Sequence, residues 1–379
     1  MTKDMTTGNP WKIIIFFSIP VLLGNLFQQF YNMVDAVIVG QFLGEDALAA
    51  VGSTGSIMFL VLGFAMGIAQ GFGVLISHAF GAKDTDRLKH YVAVSLILGL
   101  IVSLLITALT ITASKSLLLF MKTPENILDM ANDYITIIYA GITATMAFNI
   151  TSSILRGVGD SKTPLYFLVL SSLLNIILDL FFIVILGTGP EGAAYATVIA
   201  QGLSALLCFF YMFTRFDLLK LRRKDFYFDL KSAWELLSIG IPMSVNYSVT
   251  AIGVMILQGA VNVFGSSVVA AYTAASKVES LATQTMPSLG TTMSTYCGQN
   301  LGAGKYDRIF DGMKKAFILV LAISLLGAVI SAGLGKYIVC LFLSDPSATV
   351  LDYATAYLNT ISWFFVPLAM IFLYRSSLQ

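Results

Sequence analysis

Charge is what this chain has least of. Asp, Glu, Lys and Arg make up 11% of its 379 residues, against roughly 25% in soluble domains. That scarcity excludes a soluble globular protein. The net charge of +1 gives no electrostatic case for a nucleic-acid partner. Histidine and cysteine are scarce as well. His78 and His90 lie near one loop and have no second ligand at metal spacing. Cys208, Cys297 and Cys340 stand far apart in apolar segments and read as small packing residues. These absences argue against a zinc site and a nucleophile–histidine hydrolase, so no enzyme activity and no cofactor are expected. A signal-peptide cleavage pattern is also missing, and the first apolar run is expected to remain as an anchor.

What is there is long apolar runs. The stretch from Lys12 to Asp46 carries no charge between Lys12 and Asp35, which is long enough to cross a bilayer as a helix. Ten spans are expected, near 13–40, 47–80, 91–118, 130–155, 164–187, 192–214, 235–263, 268–300, 316–342 and 350–374. Of the 22 Lys and Arg, 18 fall on one side of these spans, three on the other, and one, Lys277, within a span. Positive loops stay in the cytoplasm, which places the N-terminus inside. The expectation is an all-α, multi-pass protein of the cytoplasmic membrane.

The chain repeats itself. FGAKDTDR from Phe80 matches LGAGKYDR from Leu301. Ser18-Ile19-Pro20 pairs with Gly240-Ile241-Pro242, and the segment around Pro124 pairs with that around Pro346. The offset stays at 221–223 residues, so spans one to four correspond to seven to ten. A shift of six spans preserves orientation, which gives parallel repeats with a cavity expected between two bundles. The expected parts are an N-lobe of six spans (1–214), a basic cytoplasmic linker (215–233) and a C-lobe of four spans (234–379). Counterparts of spans five and six are lacking in the second half, so a fragment or a shortened product is expected. The linker cluster Arg222, Arg223 and Lys224 either orients the spans or meets phospholipid headgroups.

Acids inside spans are functional candidates by default, since an ionised carboxylate at mid-membrane costs about 2.5–3.5 kcal/mol. Asp35 ends span one. Asn175 and Asp179, four apart in span five, share a helix face. Thr197 lies one to two turns into span six. At about 1.5 Å per residue, Asp35, Asp179 and Thr197 all sit roughly 7–12 Å below the outer surface. Two carboxylates there cannot easily both ionise, so the pair can hold a proton or be bridged by a cation. Oxygen ligands suit H⁺ or Na⁺. The plainer alternative is that Asp179 hydrogen-bonds Asn175 or a neighbouring helix.

Cavity-lining candidates are Gln28, Tyr31, Tyr139 and Asn149 in the first half. In the second half they are Asn246, Tyr247, Gln258, Asn262, Lys277, Glu279 and Gln284. Lys277 and Glu279 either face a cavity or snorkel to the outer surface. Pro20 in span one removes a helix hydrogen bond and favours a bend, as do Pro242, Pro287 and Pro367 in theirs.

QQFYNMVDAVIVGQFLGEDALAAVG, the FGAKDTDR and LGAGKYDR turns, and LRGVGDSKTP resemble the multidrug and toxic compound extrusion family over essentially the whole chain. The resemblance implies two bundles forming a V-shaped central cavity. It also implies export of amphipathic or cationic small molecules driven by inward H⁺ or Na⁺. It assigns the cation site to Asp35, Asn175, Asp179 and Thr197, puts Tyr31 beside it, and links Pro20 with bending. Partners expected are small molecules and membrane lipids, with no nucleic acid and a monomeric chain. Competing readings are a lipid-linked precursor flippase, for which only Lys277 offers a cation, and an inactive, non-transporting remnant.

Overall fold

The computed structural model describes residues 3–340 and 347–378, without the side chains of Asn262 and Ser266. Pro346 of the third repeat pair therefore lies outside the described residues. The ordered elements are helices. In the first half they are α1 (Pro10–Leu43), α2 (Glu45–Gly81), α3 (Thr85–Phe120), α4 (Glu125–Ala140), α5 (Ile142–Gly157), α6 (Lys162–Asp179) and α7 (Pro190–Arg215). A π-helical turn, Leu180–Ile185, follows α6 directly. In the second half they are α8 (Leu230–Asn262), α9 (Ser266–Thr283), α10 (Thr285–Gly302), α11 (Tyr306–Val339), α12 (Ala348–Ser362) and α13 (Phe365–Leu378). No strand occurs among the described residues.

Seven of these elements are long and apolar enough to cross a membrane, and nine spans result if the bent pairs α4–α5 (44°) and α12–α13 (47°) each count once. The remaining expected span, 268–300, is the pair α9–α10. Its Lys277, Glu279, Gln284 and many hydroxyls leave it too polar to meet the same measure. Its break has a local cause. Pro287 is the third residue of α10, and its ring excludes a helical carbonyl four residues back, at Thr283, where α9 ends. Pro367 does the same in α13, with Trp363 four residues back and α12 ending at Ser362. The α4–α5 bend falls at Gly141, where an added Cβ would lie 2.3 Å from Val198. Pro20 and Pro242, by contrast, sit inside continuous helices.

The repeat holds down to single hydrogen bonds. Ala82, Lys83 and Asp84 donate to the carbonyls of His78, Phe80 and Ala79; Ala303, Gly304 and Lys305 donate to those of Gln299, Leu301 and Asn300. Each donor and each acceptor is shifted by the same 221 residues. Lys83 (φ 58°) and Gly304 (φ 68°) are the left-handed residues of these matching turns. The two bends also match, Gly141 corresponding to Trp363 at 222.

The chain forms two compact units. One holds Phe27–Ala251; the other holds Met5–Leu26 and Ile252–Gln379. This division differs from the expected boundary at the 215–233 linker, because α1 and α8 are each shared. The start of α8 packs within the first unit. Cβ atoms added at Gly67 and Gly71 of α2 would lie 2.5 Å from the backbone of Ser244 and Gly240, so these two glycines set the helix approach. The start of α1 packs within the second unit, where Met5, Ile13, Ile14 and Phe17 join Met286, Leu289, Met293, Tyr296 and Phe365 in one core.

Candidate functional site

The first unit brings a set of polar side chains together inside an apolar bundle. The sequence GVGDSKTP launches the helix that carries half of them. Gly159 takes φ +87°. Asp160 then accepts hydrogen bonds from the backbone N–H of Lys162 (2.9 Å) and Thr163 (3.1 Å) and from the Thr163 hydroxyl (2.6 Å), which caps α6. Four turns on, α6 presents Asn175 and Asp179 on one face, both buried. Asp179 is the last α-helical residue before the π turn, in which Leu186 N–H reaches the Phe181 carbonyl at 3.0 Å. Such turns often mark functional positions.

Asp35, on α1, is buried as well. Its carboxyl lies close enough to that of Asp179 for one proton to bridge them. The Asn175 side-chain amide donates to Thr197 Oγ1 at 3.2 Å. All four expected ion-site residues thus meet. Four buried oxygens in this cluster, Asp35 Oδ1, Asn175 Oδ1 and both oxygens of Asp179, have no hydrogen-bond donor among the described residues. Leaving one such atom unpaired costs about 1–3 kcal/mol, and more for a charged group. A set of buried acceptor oxygens without donors suits a bridging proton or a small hard cation.

Tyr31, one turn before Asp35, joins the cluster and hydrogen-bonds Gln201. Gln201 Oε1 also accepts from the Thr145 hydroxyl. Tyr134, from α4, is buried within electrostatic reach of Asp35, Tyr31 and Asp179. Gln201, Thr145 and Tyr134 were not singled out by sequence. Gln201 was findable, since it lies four residues after Thr197 on the same helix face. Tyr134 offered no signal, because its placement depends on how α4 packs.

Other candidates sit elsewhere. Tyr139 is fully buried in a separate apolar cluster with Ala50, Ile57 and Leu118. Asn149 donates to the Thr145 carbonyl of its own helix at 2.9 Å. Gln28, Asn246 and Gln258 are half-buried. Tyr247 accepts from Gln70 at 2.9 Å. Gln284 stands at the α9–α10 break, its carbonyl accepting from Ser288. Asn262 falls outside the described side chains. Lys277 is exposed, while Glu279 is half-buried and accepts a 2.6 Å hydrogen bond from Tyr357. No group of three His, Cys, Asp or Glu able to hold a metal ion occurs among the described residues.

Apolar spans, a twofold internal repeat and a buried acid pair define the chain as a polytopic membrane protein of transporter type. It belongs to the MatE family, whose signature matches once in each repeat, at residues 20–181 and 242–379. It is 31% identical to a probable multidrug resistance protein, YpnP, of Bacillus subtilis, over 96% of this chain and 80% of that one. It is 32% identical to another from the same organism, YoeA, over 82% of this chain and 68% of that one. Among solved structures it is similar to the outward-facing conformation of a multidrug resistance MATE family transporter. The TM-score there is 0.93 at 26% identity, covering 99% of this chain and 84% of the other. The family is one of membrane transporters.

Proposed function

We propose that this protein is a secondary active exporter. It moves amphipathic or cationic small molecules out of the cell in exchange for H⁺ or Na⁺ entering through the first unit. The observation that carries this reading is the set of four buried, unpartnered oxygens around Asp35 and Asp179. A cation or proton arriving there relieves the repulsion between two carboxylates in an apolar bundle, and its departure restores it. Such a pair is a two-state element whose balance an ion gradient can bias. Asn175 and Thr197 supply neutral oxygens, while Tyr31, Tyr134 and Gln201 fix the geometry around them. The names of the Bacillus relatives support the drug-export half of the reading. Cytoplasmic-membrane placement and a monomeric chain belong to the same proposal.

The test is accumulation of a fluorescent organic cation in pump-deficient cells expressing the chain. Lower accumulation that rises on adding a protonophore, or on removing Na⁺, supports the exchange and names the ion. Accumulation unchanged by expression, with membrane insertion verified, contradicts it.

A further inference from the structure

The α7–α8 linker, residues 216–229, is the longest connection between helices on the expected cytoplasmic side, and it folds against the first unit. Leu219 and Asp225 are buried. Asp225 accepts from the Arg222 N–H at 2.6 Å and so closes a short 3₁₀ turn, Arg223–Phe226. Tyr227 stacks one face on His90 of α3. Asp229 contacts His90 at 2.5 Å and accepts from the Ser232 N–H at 2.7 Å. These contacts fix which side chains face outward.

The acids of this stretch are engaged within the protein. Asp217 pairs with Lys220 at 2.5 Å. Asp225 and Asp229 hold backbone N–H groups, while Glu235 accepts from Tyr91 and meets Arg87 at 3.5 Å. The cations differ. Arg222, Arg223 and Lys231 are exposed and join none of the ion pairs among the described residues. Lys224 reaches the exposed Asp86 at 3.5 Å. Positive charge is therefore presented outward and negative charge is turned inward.

Large apolar side chains stand among these cations. Phe226, Phe228, Leu230 and Trp234 are exposed, Leu230 at 81% and Trp234 at 69%. The other turns on that side, 82–84, 158–161 and 303–305, hold no aromatic residue and no leucine. Left in water, such surface forgoes about 25 cal/mol per Å². A lipid headgroup layer removes that cost. α8 has 33 residues and is roughly 50 Å long, against a hydrocarbon core of about 30 Å. Its charged residues, Lys231 and Glu235, both lie in its first two turns, so that end occupies the headgroup layer. Tryptophan is favoured at that depth, and basic clusters beside a membrane helix attract anionic lipid. A soluble partner fits this face less well, because the linker adjoins the bilayer at both ends, through α7 and α8.

We infer that the linker and the start of α8 form a binding surface for anionic phospholipids of the cytoplasmic leaflet. Arg222, Arg223 and Lys231 take the headgroup phosphates. Phe226, Phe228, Leu230 and Trp234 seat among the glycerol and upper acyl carbons.

The test uses Trp234 as reporter, in the full chain carrying Trp11→Phe and Trp363→Phe. The chain is placed in nanodiscs of phosphatidylglycerol and phosphatidylcholine, with one lipid or the other brominated on its acyl chains. Quenching of Trp234 then gives the relative affinity of the two lipids. No gradient or drug is present, so the result stands apart from the export reading. Quenching is expected, with a preference for phosphatidylglycerol of about 5-fold or more. The preference should fall to about 1 in Arg222→Gln/Arg223→Gln/Lys231→Gln, and in the parent at about 1 M NaCl, where the Debye length is about 3 Å. Lys220→Gln, which removes a cation already paired, should keep it. Should the triple variant fail to insert, Arg223→Gln and the salt arm carry the test. Equal quenching by both lipids overturns the inference, since it marks ordinary lipid contact. Absence of quenching by either lipid overturns it too and leaves the face to a soluble partner. A preference unchanged in the triple variant also overturns it.

Discussion

The two repeats share one turn and use it differently. In the first, the start of α3, just after the turn, is gripped by side chains. His90 stacks on Tyr227 of the linker at 4.1 Å and contacts Asp229 at 2.5 Å. In the second, the α10–α11 turn grips backbone. Met5 N–H donates to Gln299 Oε1 at 2.9 Å. Arg308 Nη2 donates to the carbonyls of Met5 (3.0 Å) and Thr7 (2.9 Å), and Lys305 to that of Thr6 (2.8 Å). Met5 and Tyr227 are themselves 222 residues apart. Polar groups inside the bundles diverge as well. The first unit pairs two acids from α1 and α6; the second carries one acid against two tyrosines, where the position 221 residues earlier is methionine. Duplication preserved the backbone hydrogen bonds, and the side chains departed from it where charge enters the membrane.

The repeats should fail in different ways when mutated. Asp35→Asn and Asp179→Asn should each reduce gradient-driven efflux to the level of cells lacking the protein, while the folded protein persists in the membrane. Substitutions of their neutral partners should be milder. Asn175→Ala or Thr197→Ala removes about 1 kcal/mol of hydrogen bonding, so the ion concentration for half-maximal exchange should rise about 5-fold.

A third comparison concerns packing. Gly71→Leu should cost about 1–3 kcal/mol, because its side chain must displace the Gly240 backbone. The 221-shifted change, Thr292→Ala, should cost less, since that position already holds a side chain. Thermal melting in nanodiscs measures both, and equal losses would remove the asymmetry between the crossings.

The smallest effect concerns the linker. A backbone hydrogen bond from Ser232 holds the Asp229 carboxyl down at about 2, with His90 assisting. Because that lies below the ordinary carboxylate value, its stabilising contribution is complete above about pH 4 and is lost as pH falls through about 2. Amide exchange in 222–232 should therefore accelerate on acidification across that window in the parent. In Asp229→Asn it should already be fast at pH 5.

Much of this could be read from sequence, for reasons that differ by residue. Asp35, Asn175, Asp179 and Thr197 stood out because polar groups are rare in apolar runs and helical spacing fixes their faces. The turns at Lys83 and Gly304 were legible as a repeated string. Tyr134 and Thr145 were not, because only packing brings α4 and α5 to the acids. The sharing of α1 and α8 between units was hidden too, since a continuous apolar helix carries no mark of which neighbour each half meets. The π turn after Asp179 likewise has no residue signature.

Binding of the driving ion by Asp35 and Asp179 can be read from efflux of a fluorescent cation from proteoliposomes under an imposed H⁺ or Na⁺ gradient, comparing the parent with Asp35→Asn and Asp179→Asn. Uphill movement in the parent should follow one gradient and vanish in both variants. Uphill movement of parental rate in either variant would contradict it.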